Sequence, residues 1–298
     1  MNIGYFNAQG INNIEYWFRL EQEELKKRGH KVKMFYLKGN QPTREDVEWM
    51  DFAHFHYAHV ALFYRRLGVP FCISPHTNDI FPDNGKKLKI ASRHRNCKFV
   101  TYQSQYHLEH YKKWDIDKPL VHLPMCCRTK LFERKGDIGN GIIAGGRIVP
   151  RKGLERILHI PNLTIFGDSP NLEYRNKLAS RAPTCWFCGY KNGEELRDLF
   201  EDSYLYLFPA RIVNDGNRDG IPNTIKEALL MGLQVIASPI TGIKEMEGVT
   251  FTEDWENVED LISSIPKEFN RKGRQYILDN FSPEICIDKL ERVINEYI

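Results

Sequence analysis

The stretch Asp215 to Gly232, DGNRDGIPNTIKEALLMG, constrains the fold of this chain more than any other. It opens as a polar loop with two glycines, turns at Pro222 into a helical pattern carried by Ile225, Leu229 and Leu230, and closes at Gly232. The apolar run Gln234 to Ser238 then reads as a buried strand. Loop, helix and strand in that order build a parallel α/β sheet. Proline suits the first helical turn, so the backbone N–H groups from Ile221 to Thr224 should project from a helix N-terminus, which attracts anions and hydroxyl oxygens. Asp219 stands before that turn and Glu227 two turns into the helix. Asp215, Asn217, Asp219 and Gly220 also fit the first half of a calcium loop. Lys226 stands where the bidentate Glu is needed, and Pro222 lies inside the would-be loop, so calcium is set aside.

The N-terminus repeats the theme. Met1 to Phe6 reads as a strand, Ile14, Trp17, Phe18 and Leu25 share one helix face that ends at Gly29, and Val32 to Leu37 reads as a second strand. Strand, helix and strand in that spacing form a right-handed parallel unit. A chain of 298 residues suits two such domains. The polar, glycine-rich segment 137–141 is the best boundary. It gives a first domain over 1–136, a second over 137–282 and a terminal helix over 283–298.

Composition narrows the classes. No basic and apolar leader opens the sequence and no apolar run approaches a membrane-spanning length, so a soluble, cytoplasmic protein is expected. Seven cysteines, an odd number that includes vicinal Cys126 and Cys127, do not suit a disulfide framework. Cys185 and Cys188 lack a second pair at zinc-ribbon spacing and read as strand cysteines. The net charge of +3 hides an asymmetry: residues 1–135 hold 23 Lys and Arg against 14 Asp and Glu, or +9, and residues 136–298 hold 19 against 25, or −6. A basic first half suits an anionic partner such as a phospholipid surface, a lipid-linked phosphate or a nucleic acid, and a merely solvated surface fits equally. The segment Asn84 to Lys98, basic with Leu88, Ile90 and Ala91 interleaved, reads as a basic amphipathic surface suited to an anionic membrane or, equally well, as an exposed helix.

Candidate chemistry clusters after predicted strands, where ligands of open parallel sheets gather. His54 and His56 lie on one side of the strand Asp51 to Tyr57. With no third ligand at metal spacing on that strand, a core or hydrogen-bonded role is expected. His76 and Asp79 follow the strand Val69 to Ser74. Ile142 to Leu154 reads as a strand, a glycine turn at Gly145 and Gly146, and a helix start, with the cations Arg147 and Lys152 around the turn. Gly167 and Tyr190 end two further strands; Tyr190 is a candidate to stack on a base.

Asp219, seven residues, Glu227 and then Ala-Leu-x-x-Gly-x-x-Val-Ile-Ala resemble the donor-site signature of retaining GT-B glycosyltransferases of the group 1 (family 4) type, which build bacterial polysaccharides and glycolipids. The segment Gly146 to Gly153 resembles the family's G-R-x-x-x-x-K-G, and His76 to Asp79 its H-G-x-D, with Thr77 in place of Gly. Three departures stand out. Asp219 replaces the usual Glu, Gln9-Gly10 and Asn12-Asn13 replace a Gly-Gly pair, and PMCCRTKLF from Pro124 lacks the Gly and Asp of P-x-G-V-D-x-x-x-F.

The resemblance implies an α/β, GT-B architecture: two Rossmann-like parallel-sheet domains facing each other across a cleft, the N-terminal one trimmed, with the terminal helix crossing back to it. It further implies retaining, metal-independent transfer of a sugar from a UDP- or GDP-linked donor to a saccharide or lipid-linked saccharide, with no other cofactor and no metal. His76, Asp219, Arg147 and Lys152 take the catalytic roles. Gly146, Arg147, Lys152, Gly167, Tyr190, Asp219, Gly220, Ile221, Pro222, Asn223, Thr224 and Glu227 bind the donor, and Gly10, Asn12, His76 and Asp79 lie on the acceptor side. Relatives of this kind act in the cytoplasm or peripherally on the inner face of the membrane. Competing classes are a sugar-nucleotide epimerase or phosphorylase, a DNA-modifying or nucleic-acid-binding protein, and a non-catalytic sugar-nucleotide binder. Donor turnover without acceptor, a salt-dependent DNA shift, and binding without turnover distinguish them.

Overall fold

Every strand pairing among the described residues is parallel. The computed structural model describes residues 1–8, 16–213 and 219–298, except the side chain of Asn78. In chain order come β1 (Asn2–Asn7), α1 (Tyr16–Lys27), β2 (Lys31–Tyr36), α2 (Arg44–Trp49), β3 (Phe52–His56), α3 (Ala58–Tyr64), β4 (Phe71–Ser74), α4 (Thr77–Ile80), α5 (Lys86–Ser92), β5 (Cys97–Tyr102), α6 (Gln105–Lys113) and β6 (Leu120–His122). There follow β7 (Gly141–Gly145), β8 (Leu163–Phe166), α7 (Leu172–Ser180), β9 (Trp186–Gly189), α8 (Glu194–Glu201), β10 (Ser203–Phe208), α9 (Asn223–Leu230), β11 (Gln234–Ala237), β12 (Val249–Phe251), α10 (Val258–Ser264), α11 (Arg271–Phe281) and α12 (Pro283–Tyr297).

The chain divides into a unit of Met1–Cys126 with Phe281–Ile298 and a unit of Cys127–Asn280. The division falls before the polar segment 137–141 that composition suggested. Arg134 explains the shift: its guanidinium donates to the carbonyl oxygens of Asp137, Phe200, Glu201, Ser203 and Met231 at 2.6 to 2.9 Å, fastening this segment into the second unit.

In the first unit the sheet order is β2-β1-β3-β4-β5-β6. Both faces are covered, as a parallel sheet requires. Ile3 and Tyr5 of β1 pack with Trp17 and Phe18 of α1 and with Cys286, Ile287, Leu290 and Ile294 of α12. Phe6, one residue on and so on the opposite face, packs with Phe35, Phe55 and Tyr64. Helix α12 is further held where Arg28 and His30 meet Glu291, each at 2.7 Å.

The second sheet runs β12-β11-β10-β7-β8-β9. Counted from β7 this is the strand order of dinucleotide-binding folds, with the order reversing between β7 and β10. Ligands of such sheets bind outside the carboxyl ends of the strands at that reversal. Two local expectations change here. No α-helix follows the glycine turn: two 3₁₀ turns, Pro150–Lys152 and Leu154–Arg156, flank Gly153, whose φ of +63° breaks the run. Pro222 caps α9 instead of entering its first turn. The predicted end of α9 is a Schellman motif, with Gly232 at φ +75°, its N–H on Leu229 O at 2.9 Å and that of Leu233 on Ala228 O at 3.0 Å.

Candidate functional site

The loops after β7, β8 and β9 are tied to one another by their backbones. Gly146 N–H donates to Phe166 O at 3.1 Å, Ile148 N–H to Asp168 O at 2.7 Å and Gly167 N–H to Gly189 O at 2.7 Å. Gly167 has to be glycine: its φ is +124° and a Cβ there would stand 1.8 Å from Gly146 O. These ties fix Gly146 beside the side chain of Lys152, whose Cε and Nζ lie 3.8 Å from where a Gly146 Cβ would be. At the reversal of strand order the sheet therefore presents a bare glycine backbone and an ammonium group together.

Lys152 is buried, and its Nζ meets Asp219 Oδ1 at 3.2 Å and lies 4.6 Å from the centre of the Phe208 ring. Burial lowers the pKa of this lysine, while the neighbouring Asp219 carboxylate pulls it back up. Arg151 Nε reaches the same Asp219 oxygen at 3.4 Å. Sequence reading assigned the cationic role to Arg147 and Lys152; Arg147 is exposed and has no ion pair among the described residues, and Arg151 stands with Lys152 at Asp219.

Asp219 Oδ2 is buried without a hydrogen-bond partner among the described residues, as is Asn223 Oδ1. Buried acceptors of this kind call for donors such as ligand hydroxyls. The backbone there is held by Thr241, whose hydroxyl lies 2.6 Å from Asp219 O and 3.1 Å from Gly220 O. Tyr206 ties the two sides together, its hydroxyl reaching Gly145 O at 3.0 Å and Thr224 Oγ1 at 2.8 Å. Ile221 is buried beside Pro222 at the head of α9. Gly10 and Asn12 lie outside the described residues, as do Asp215 and Asn217 of the calcium-like run.

Glu227, at 2% exposure, is paired with a residue that sequence reading did not single out. Arg128 brings Nη2 to 2.7 Å and Nε to 3.2 Å of Glu227 Oε1, and its Nη1 donates to Asn192 Oδ1 at 3.0 Å. Tyr190, by contrast, is 65% exposed and follows Gly189 at the open end of β9, where a flat aromatic face meets solvent.

In the first unit, His76 caps α4 and packs its ring 4.2 Å from that of Tyr57 and 5.1 Å from that of Trp17. Tyr57 holds φ at +79°, a region that bulky residues rarely adopt and that recurs where function constrains the backbone. Asp79 is engaged otherwise: its carboxylate accepts from the Ala58 N–H and from His59 Nδ1 at 2.7 Å, capping the start of α3. His54 and His56 are buried, as expected, and a third group does join them, from α1 and not from their own strand. Glu21, His54 and His56 bring donor atoms within 4.8 Å of one another. A tetrahedral site with bonds near 2.1 Å needs separations of about 3.4 Å, and His56 Nε2 and Glu21 Oε2 lie 3.7 Å apart.

Residues 147–267 match the family described as Glycosyl transferases group 1. The match lies wholly within the second unit. This group 1 segment contains every donor-side residue named above except Gly146, together with Arg151 and Asn192. A 58-residue stretch is 34% identical to the amylovoran biosynthesis glycosyltransferase AmsK of Erwinia amylovora, covering 20% of this chain and 14% of that protein. The colanic acid biosynthesis glycosyltransferase WcaL of Salmonella typhimurium, a putative assignment in its own name, is 31% identical over 58 residues, again 14% of its length. The chain thus matches only a small part of these curated relatives.

Among solved structures, sucrose-phosphate synthase from Thermosynechococcus elongatus superposes with a TM-score of 0.77 at 16% identity, covering 99% of this chain and 98% of that one. Anabaena HepE in complex with UDP gives 0.78 at 12% identity, with 99% and 100% coverage. The group 1 segment therefore sits within a whole chain of GT-B fold. No helix among the described residues is long and apolar enough to cross a membrane.

Proposed function

We propose that this protein transfers a sugar from a nucleoside diphosphate to an acceptor hydroxyl, and that the donor binds at the carboxyl edge of the second sheet. The observation that carries the reading is the grouping at the reversal between β7 and β10: Gly146 backbone, buried Lys152, Asp219 with its orphan Oδ2, and Glu227 on α9. UDP or UDP-glucose occupies the HepE structures, which supports a nucleotide here without fixing its base.

Sugar transfer leaves negative charge on the departing diphosphate. Lys152, with Arg147 above it in solvent, supplies cations for that charge, and the glycine backbone allows the phosphates close approach. The ammonium needs no water displaced at the moment of reaction, since the fold has already desolvated it. Asp219 and the N–H groups following Gly220 hold hydroxyls of the transferred sugar. Glu227 accepts from the ribose diol and Tyr190 lies against the base. In the first unit, His76 serves the acceptor, as a saccharide or lipid-linked saccharide. Retention of the anomeric configuration follows from the resemblance to the family alone, and transfer proceeds without a metal ion because the developing charge is met by Lys152 and backbone donors.

The test is a thermal-shift screen of UDP, GDP and their glucose and mannose conjugates, followed by incubation of the best donor alone. A donor that raises the melting temperature and is turned over only with an added acceptor supports transfer. Turnover of the donor by itself to an epimer rejects it, and loss of activity in EDTA rejects metal independence.

A further inference from the structure

We propose that Arg128 is a positioning residue for ribose recognition, holding the Glu227 carboxylate so that it accepts the 2′ and 3′ hydroxyls and thereby setting a preference for ribonucleotides over 2′-deoxyribonucleotides. The inference rests on the nucleotide reading of this site.

Glu227, Asn192 and Phe132 all hold the guanidinium. Two of its N–H groups converge on Glu227 Oε1 at 2.7 and 3.2 Å, a third donates to Asn192 Oδ1 at 3.0 Å, and its plane lies 4.9 Å from the centre of the Phe132 ring. The Arg128 and Glu227 side chains are 13% and 2% exposed, so the pair is largely removed from water. A carboxylate that buried needs a compensating charge, and Arg128 is the cation paired with it. An ionised carboxylate only accepts hydrogen bonds, and a vicinal diol offers two O–H donors, so charge and orientation decide how well the diol is held. Arginine suits this because two N–H groups of its rigid fork anchor Oε1 from fixed directions, which a lysine point charge cannot do. Arg128 reaches Glu227 from the first residues of the second unit, while Lys152 pairs with Asp219.

The experiment titrates UDP, GDP, their 2′-deoxy counterparts and inorganic pyrophosphate into the full-length wild type, Arg128→Gln and Arg128→Lys. Wild type should bind the better ribonucleotide roughly ten- to hundredfold more tightly than its deoxy form, the range for one hydrogen bond to a charged group. In both variants that ratio should shrink to about threefold or less, while pyrophosphate affinity stays within about twofold, because the proposed diphosphate contacts are to Lys152 and the Gly146 backbone and not to Arg128. A purely structural arginine would weaken all ligands together or none. An unchanged ribo-to-deoxy ratio in a folded variant overturns the role of Arg128 and leaves the nucleotide site standing. Where Arg128→Gln fails to fold, Arg128→Lys decides the matter alone. If neither UDP nor GDP binds wild type, the nucleotide reading itself falls and takes this proposal with it.

Discussion

Lys152 and Asp219, 67 positions apart in the chain, meet at 3.2 Å where the second sheet reverses its strand order. On the proposed mechanism the ammonium is the principal cation for the leaving diphosphate. Lys152→Ala should lower kcat/KM by about 100-fold or more, the usual cost of losing one preorganised donor to a developing charge. Steady-state kinetics with the donor found by screening checks this, and wild-type kcat/KM in the variant would remove Lys152 from the mechanism.

The same lysine sets a pH dependence. Its pKa is lowered from 10.5, burial being the main cause. The charged form binds diphosphate, so activity is present at lower pH and lost as pH rises through the depressed value. The alkaline limb of kcat/KM should therefore have its midpoint below 10.5. Lys152→Arg, if active, should abolish this limb because a guanidinium stays charged. A limb of equal midpoint in both proteins would assign the titration elsewhere.

Gly167→Ala tests the backbone ties. The new methyl would stand 1.8 Å from Gly146 O at a φ of +124°. The cost should be on the order of 1 to 3 kcal/mol from the backbone alone, with more from the clash. Urea unfolding measures it, and donor affinity should fall in step because Gly146 must move.

How far the site could be read from sequence follows from how local its parts are. Asp219 and Glu227 share one loop and one helix, and Gly146 and Lys152 share one turn, so their spacing alone brought them forward. Arg128 stayed hidden because its partner lies 99 positions away, and Arg151 because only folding decides which of several neighbouring cations faces Asp219. Glu21 is hidden beside His54 and His56 for the same reason, since it comes from α1 and not from their own strand. The helix expected after Lys152 failed on a single residue: Gly153 turns left-handed, and a Cβ there would sit 2.1 Å from Pro209 O.

Buried histidines, His54, His56 and His107, make the first unit acid-sensitive. Burial is the main cause that pushes His54 and His107 from 6.5 down to about 3. Both are neutral when folded and charge readily when unfolded, so the stability they contribute is whole above 6.5 and is lost as pH falls toward 3. Each accounts for on the order of a few kcal/mol across that window. Urea melts at stepwise lower pH should show the decline beginning below 6.5, and His107→Gln, if folded, should flatten it. Stability that stays level down to pH 4 would contradict this.

The central claim, that the carboxyl edge of the second sheet holds a nucleoside diphosphate, is tested most directly by a crystal structure with the tightest-binding nucleotide. The account predicts a phosphate oxygen within hydrogen-bond distance of Lys152 Nζ and of the Gly146 backbone, with the ribose hydroxyls on Glu227. A nucleotide bound elsewhere, or one whose ribose and phosphates lie at opposite ends from these residues, would contradict it.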